Sequence, residues 1–296
     1  MSRRIGVHLG TAGGPSNAVL RAKEIGANTL QIFSSSPRMW RSAIVDPVQA
    51  ERMREFRAKY NIGPLAVHAS YLVNVCSQTQ EVREKSVIGL RAEIERALAL
   101  GADYLVLHPG SWKGLSRQAG LRFACESIER AMDGIPWQST GFTLLIENTA
   151  GSECSLGGSF DQVAELVWLL RRHAPVAVCL DTCHTHVAGY DIVTPGGYED
   201  TMIQIEATFG FDAVRVWHCN DAKSERGSKL DRHQHVGKGT IGKEAFRRLL
   251  NDPRFAHCAF IAETPVDEDG DEASNVKALR ALLKQAKPGG AAEKSR

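Results

Sequence analysis

The chain has 296 residues, 43% of them hydrophobic and 24% charged, so it can bury a large core as two ordinary domains or as one α/β barrel. Its formal net charge of +2 excludes a strongly basic or acidic overall field, so any attraction for a phosphate-rich partner must be local. No run is long and apolar enough for a membrane span, and the start, MSRRIGVHLG, enters a strand-like segment directly and does not read as a signal peptide.

Short apolar runs alternate with amphipathic segments from one end to the other. The predicted strands are RIGVHLG near Ile5, TLQIF near Ile32, LAVHAS near Val67, YLVLHPG near Val106, TLLIENT near Leu145, AVCLDT near Cys179, VRVWHCN near Val216 and FIAETP near Ile261. Each is apolar almost throughout, as parallel strands covered on both faces are. Helical patterns lie between them. In SVIGLRAEIERALALGA, Val87, Leu90, Ile94 and Leu98 recur at spacings of three and four, and Gly101 supplies the stop. Eight strands in alternation predict a single (β/α)8 TIM barrel over residues 1–287, with its active site at the carboxyl ends of the strands. Residues 288–296 read as a flexible polar tail. GTAGGPSN does not carry the GxGxxG spacing, so a dinucleotide fold has little support. Seven cysteines, an odd number without a CxxC pair, argue against a disulfide framework and for a reducing cytoplasm; they read as small buried hydrophobes.

The chemistry lies where the apolar runs close. His68, His108, Glu147, Asp181, His218 and Glu263 end six successive strands. One buried histidine is ordinarily a hydrogen-bonded core residue, but so many ionisable groups at one rim are costly to bury unless a cation compensates them. His184 follows Asp181 by three residues, just over the rim. The stretch Trp217–Gly239, WHCNDAKSERGSKLDRHQHVGKG, adds Asp231 and His233; a His-rich polar surface loop is its plain alternative. Nine imidazole and carboxylate ligands suit three divalent ions better than one, since a single ion with an open position takes three or four. Four carboxylates against three such ions leave a net charge of about +2, which attracts an anion and points to phosphate-ester hydrolysis. His8 reads as a supporting partner or a phosphate contact, and His186, His235, His257 and His173 have ordinary structural readings.

HASYLVN around His68, LVLHPGS, LLIENTAG, VCLDTCHTHVAGYD around Asp181 and WHCNDAKSERGSKLDRHQHVGKG around Asp231 together resemble the endonuclease IV family of apurinic/apyrimidinic (AP) endonucleases, from about Ile5 to Leu283. The resemblance implies a (β/α)8 barrel with three Zn2+ ions, Mn2+ being an alternative at one site. It implies cleavage of the phosphodiester 5′ to an abasic site in duplex DNA, with 3′-hydroxyl and 5′-deoxyribose phosphate products, and removal of blocking groups from 3′ ends. It assigns His68, His108 and Glu147 to one ion. Glu147 bridges to a second held by Asp181, His218 and Glu263, and His184, Asp231 and His233 hold the third. Glu147, as the bridging ligand, is also the catalytic residue expected to orient the metal-bound hydroxide.

SSSPRMW, from Ser34 to Trp40, matches the loop from which the family inserts an Arg into the base stack, here Arg38. Tyr71 and Leu72 match residues that wedge into the minor groove, where ordinary rim packing is the alternative. Ser36, Pro37, Met39 and Ala69 depart from the polar residues often found at their positions, and Lys238 stands where an acidic residue is common. The resemblance implies duplex DNA as the partner; no feature demands an oligomer or a membrane, so a cytoplasmic monomer is expected. Two other readings stand beside it: a metal-dependent sugar isomerase on the same barrel, which leaves His184, Asp231 and His233 without a task, and a non-catalytic binder of damaged DNA, which has no need of nine ligands.

Overall fold

In the computed structural model, residues 3–40, 44–136 and 139–284 are described; the tail expected over 288–296 lies outside them. Eight parallel strands close a barrel: β1 (Arg4–Leu9), β2 (Thr29–Phe33), β3 (Leu65–His68), β4 (Tyr104–Leu107), β5 (Thr143–Glu147), β6 (Val176–Asp181), β7 (Val214–His218) and β10 (Ala259–Ala262). β10 pairs with β1 to complete the ring. The eight sequence runs and the predicted fold class are thus both found.

Helices cover the outside: α1 (Pro15–Glu24), α2 (Pro47–Tyr60), α3 (Gln80–Leu100), α4 (Arg117–Met132), α5 (Phe160–Leu170), α6 (Thr182–Ala188), α7 (Pro195–Thr208), α8 (Lys243–Asn251) and α9 (Glu272–Ala281). Local chemistry sets their ends. Ser116, Ser159 and Thr194 cap α4, α5 and α7 by accepting a backbone N–H, and Asp271 with Ser274 forms a capping box on α9. α3 stops at Gly101, whose φ of 70° closes the last turn in the left-handed region that favours glycine. A short antiparallel pair, β8 (Asp221–Ala222) with β9 (His233–Gln234), lies above the barrel mouth.

The two-residue period of a strand decides which residues meet at the axis. In β6, Val176, Val178 and Leu180 pack outward against the helices, while Ala177 and Cys179 join the inner layer with Ala66, Val106, Leu145, Val216, Ala259 and Ile261. Two residues beyond that layer, on the same inward face, stand His68, His108, Glu147, Asp181, His218 and Glu263. The apolar layer is therefore the floor of the polar rim, and a TIM-barrel core of this kind is packed rather than open. Gln31, on the inward face of β2, is also fully buried in this rim.

Candidate metal centre

Glu147 stands at the centre of the rim with no exposed surface. Its Oε2 lies 3.2 Å from His68 Nε2 and 2.9 Å from His108 Nε2. Its Oε1 lies 2.9 Å from His218 Nδ1 and 3.4 Å from His184 Nδ1. His218 Nδ1 is also 3.1 Å from Glu263 Oε2 and 4.0 Å from Asp181 Oδ2. On the far side, Asp231 Oδ2 meets His184 Nε2 at 3.2 Å and Asp231 Oδ1 meets His233 Nε2 at 3.2 Å.

Ligand atoms within 4.8 Å of one another define five groups, three of them without a cysteine: His68, His108 and Glu147; Glu147, Asp181, His218 and Glu263; and His184, Asp231 and His233. All nine predicted residues are brought together in these three, and Glu147 belongs to two of them. Cys179 also approaches Glu147 and His218, and Cys183 approaches Asp181 and His233. Burial pushes both thiols up to about 12, so they stay protonated and are poor ligands at neutral pH.

The local backbone aims these groups. β6 runs straight into α6 because Asp181 serves both elements: its Oδ1 accepts the His184 backbone N–H at 2.9 Å and caps the helix. Its Oδ2 accepts from Asn220 Nδ2 at 2.5 Å. A carbonyl oxygen can only accept, so each imidazole bonded to one must carry its proton on that nitrogen. His68 Nδ1 donates to Ala69 O at 2.8 Å, His184 Nδ1 to Asn148 O at 2.9 Å and His233 Nδ1 to Glu263 O at 3.1 Å. The opposite Nε2 then presents a lone pair to the centre, the orientation that metal-binding histidines have. His233 Nε2 is buried without a hydrogen-bond partner. It lies 3.2 Å from Asp231 Oδ1 and 3.7 Å from Asp181 Oδ2, so the nitrogen suits a cation there, a proton in the ion-free protein or a divalent ion in its place.

The electrostatics agree with that fit. Burial opposes charge on Asp231, yet His184 and His233 hold its carboxyl well below the usual carboxylate range. Burial alone would lower His233, but Asp181 and Asp231 push it up to about 9. Glu147 is likewise held low, because His108 and His218 outweigh its desolvation. In the absence of an ion, protons on imidazole are what compensate these carboxylates; a divalent cation would replace them.

A cleft of about 320 Å3 opens beside the centre, lined by His68, Tyr71, Asn74, His108, His184 and Asp231 among others. Tyr71 is exposed at its mouth, with its ring 5.3 Å from Phe33 and 5.8 Å from His68; Leu72 is half-buried. Arg38 is exposed on the neighbouring loop after β2. Ser70 Oγ donates to Pro37 O at 2.7 Å and ties the two loops together.

The chain matches the family described as xylose isomerase-like TIM barrel over residues 19–286. It is 43% identical over 281 residues to the probable endonuclease 4 of Solibacter usitatus, covering 94% of this chain and 96% of that one. It is 38% identical over 285 residues to the probable endonuclease 4 of Chloroflexus aurantiacus, covering 96% and 99%. The chain belongs to the endonuclease IV family. The solved endonuclease IV of Thermus thermophilus superposes with a TM-score of 0.80 at 37% identity, covering 94% of this chain and 98% of that one. A D-tagatose 3-epimerase-like protein shares the barrel at a TM-score of 0.67 and 18% identity, a likeness of fold alone. As a member of the endonuclease IV family the chain is an endonuclease, a hydrolase of phosphodiester bonds.

Within this endonuclease IV barrel, two residues passed over in the sequence support the centre. Gln31 Oε1 accepts from His218 Nε2 at 2.9 Å, its Nε2 donates to Glu263 Oε1, and the same nitrogen is 3.0 Å from His8 Nδ1. His8 meets the centre through Gln31 and also directly, its Nδ1 lying 3.8 Å from Glu263 Oε1. Asp221, fully buried, is the second; its carboxylate accepts backbone N–H groups from the loop that bears Asp231 and His233. The inward periodicity of TLQIF could have pointed to Gln31, whereas nothing local distinguishes Asp221. His235 is held by Asp267 at 2.8 Å and Asn275 at 2.8 Å, consistent with its structural reading. Lys238 is turned to the Asp269 carbonyl at 2.5 Å instead of standing free at the rim. Ala69 is buried.

Proposed function

We propose that the chain is a zinc-dependent AP endonuclease of DNA base-excision repair. It hydrolyses the phosphodiester 5′ to an abasic site in duplex DNA, leaving a 3′-hydroxyl and a 5′-deoxyribose phosphate, and it clears blocking groups from 3′ ends. The single observation that carries this reading is the convergence of nine ligand side chains into three groups sharing Glu147, beside an open cleft. His68, His108 and Glu147 would hold one ion, Glu147, Asp181, His218 and Glu263 a second, and His184, Asp231 and His233 a third. Imidazole with carboxylate suits Zn2+, with Mn2+ an alternative at one site. Bound ions of this kind supply a nucleophile at neutral pH and neutralise charge on the departing oxygen.

The chain's own groups do the positioning. Glu147 is the catalytic residue that fixes the first two sites relative to each other, because its two oxygens face different histidines. Asp181 and Glu263 act as ligands. The hydroxyls and amides of Ser70, Asn74, Ser111 and Ser155 line the cleft where a flipped-out sugar-phosphate would enter. Arg38 inserts into the base stack, and Tyr71 with Leu72 fills the minor groove beside it, exploiting stacking already lost at an abasic position. The Tyr71 hydroxyl is pushed up to about 12 by partial burial and the nearby carboxylates, so it remains a neutral donor. No described helix is long and apolar enough to cross a membrane. The protein acts as a cytoplasmic monomer, with residues 1–287 as its one domain.

The sugar-isomerase reading gives no task to His184, Asp231 and His233, although these three form a group of their own. The test is incubation of the zinc-loaded protein with a duplex carrying one abasic-site analogue, alongside the undamaged duplex, with end mapping of the products. Cleavage on the 5′ side of the lesion, with the undamaged strand intact, is expected. Intact lesion DNA with fully metallated protein would falsify the reading.

A further inference from the structure

The loop that carries Asp231 and His233 leaves the barrel at the end of β7 and returns at α8. Asp221, three residues beyond β7, has no exposed surface, and among the described residues no Lys, Arg or His forms an ion pair with it. A buried carboxylate without a counter-ion is costly unless several N–H groups converge on it. That is what surrounds Asp221: it accepts from the backbone nitrogens of Ala222 at 2.8 Å, Gly237 at 3.0 Å, Ile241 at 2.9 Å and Gly242 at 3.2 Å. All of these donors belong to the loop itself, from both of its ends.

The loop closes tightly on that carboxylate. A Cβ on Gly239 would stand 2.6 Å from Asp221 Oδ1 and 2.3 Å from the Ala222 carbonyl, so only glycine fits there. Further out, Lys223 N donates to Arg232 O at 2.9 Å and closes the hairpin that presents Asp231 and His233. The hairpin also rests on α6, through Gly227 N to His186 O at 3.2 Å and Lys229 N to Val187 O at 2.9 Å. α6 is the helix that bears His184.

We propose that Asp221 is the positioning residue of the third ligand group: the loop takes its shape from this carboxylate, and the group stands assembled before an ion arrives. The inference rests on Asp231 and His233 being ligands, as argued above. Zinc-templated loops behave oppositely and are disordered without metal.

Asp221→Asn keeps the size but turns one acceptor into a donor facing N–H groups. Lys223, Arg226, Lys229 and Arg232 make the loop a set of trypsin sites. In metal-free protein, D221N is expected to be cut in this loop at least about tenfold faster than the wild type, because local opening sets the rate of cleavage. At limiting free zinc it should lose the ion of the third group alone and keep the other two, with far-UV circular dichroism unchanged. Gly239→Ala, which retains the carboxylate but crowds it, should move both readouts the same way. Asp231→Ala, which removes a ligand but not the hub, should lose the same ion while keeping wild-type resistance to trypsin. Cleavage of D221N at the wild-type rate with full zinc content, or a metal-free D231A as susceptible as D221N, would overturn the proposal. If the wild type binds no zinc at all, the metal reading fails, and the trypsin comparison still decides the role of Asp221.

Discussion

Glu147→Gln tests the shared ligand. The substitution preserves shape and removes one charge from a fully buried position whose two oxygens face separate histidine groups. A carboxylate and a cation about 4 Å apart interact by ~4 kcal/mol per unit charge at an effective dielectric near 20. Counting a single unit of charge, a lower bound for a divalent ion, and about 1.4 kcal/mol per decade, that is at least roughly a thousandfold in affinity for each of the two ions that Glu147 would touch. The amide also has only one acceptor oxygen, so whichever way it turns, one group faces N–H in place of a ligand. Zinc content at buffered sub-micromolar free zinc should therefore fall to the ion of the third group alone, and cleavage of abasic duplex should fall by about three orders of magnitude. The assay is metal analysis after equilibration with a zinc–chelator buffer, with circular dichroism confirming the barrel. Unchanged affinity at all three sites in a folded E147Q protein would refute the bridging role.

Other outcomes follow from the same geometry. Gln31→Leu removes the acceptor of His218 Nε2–H and a donor to Glu263, and should weaken zinc binding about 10- to 100-fold in a chelator competition; a flat result would remove Gln31 from the support of the site. Arg38→Ala should weaken binding to lesion duplex about tenfold in a titration while metal content stays full, since Arg38 touches no ligand group; equal affinity would count against the wedge. In metal-free protein His233 is raised to about 9, so it holds a proton below that pH and an incoming ion must displace it. Affinity at the third group should accordingly rise with pH through neutrality, with proton release seen as buffer-dependent heats in calorimetry; pH-independent binding would contradict the assignment.

Much of this was legible from residue order because parallel strands bury both faces. An ionisable residue such as Glu147 or Asp181 closing an all-apolar run therefore stands out, and the two-residue period puts it at the axis. The separation of His218 from Asp231 and His233 was legible in the same way, since only His218 ends a strand. What escaped was non-local. Gln31 is a single polar residue inside TLQIF, and its value lies in spanning from β2 to His218 and Glu263 on distant strands. Asp221 directly follows Asn220 in a polar stretch, and no spacing reveals that backbone N–H groups some twenty residues later close on it. The wedge loop is a third case. Its sequence suggested Arg38, but the ties that hold it are the Ser70 hydroxyl from the next loop and the buried Glu93–Arg96 pair on Ser34.

The most direct measurement strips the protein of metal, returns zinc in known equivalents and follows cleavage of a duplex bearing one abasic site at each step. The account predicts no cleavage by stripped protein and full activity, 5′ to the lesion, only as the third equivalent is bound. Cleavage by the metal-free chain, or a fully loaded protein that leaves the lesion strand intact, would contradict it.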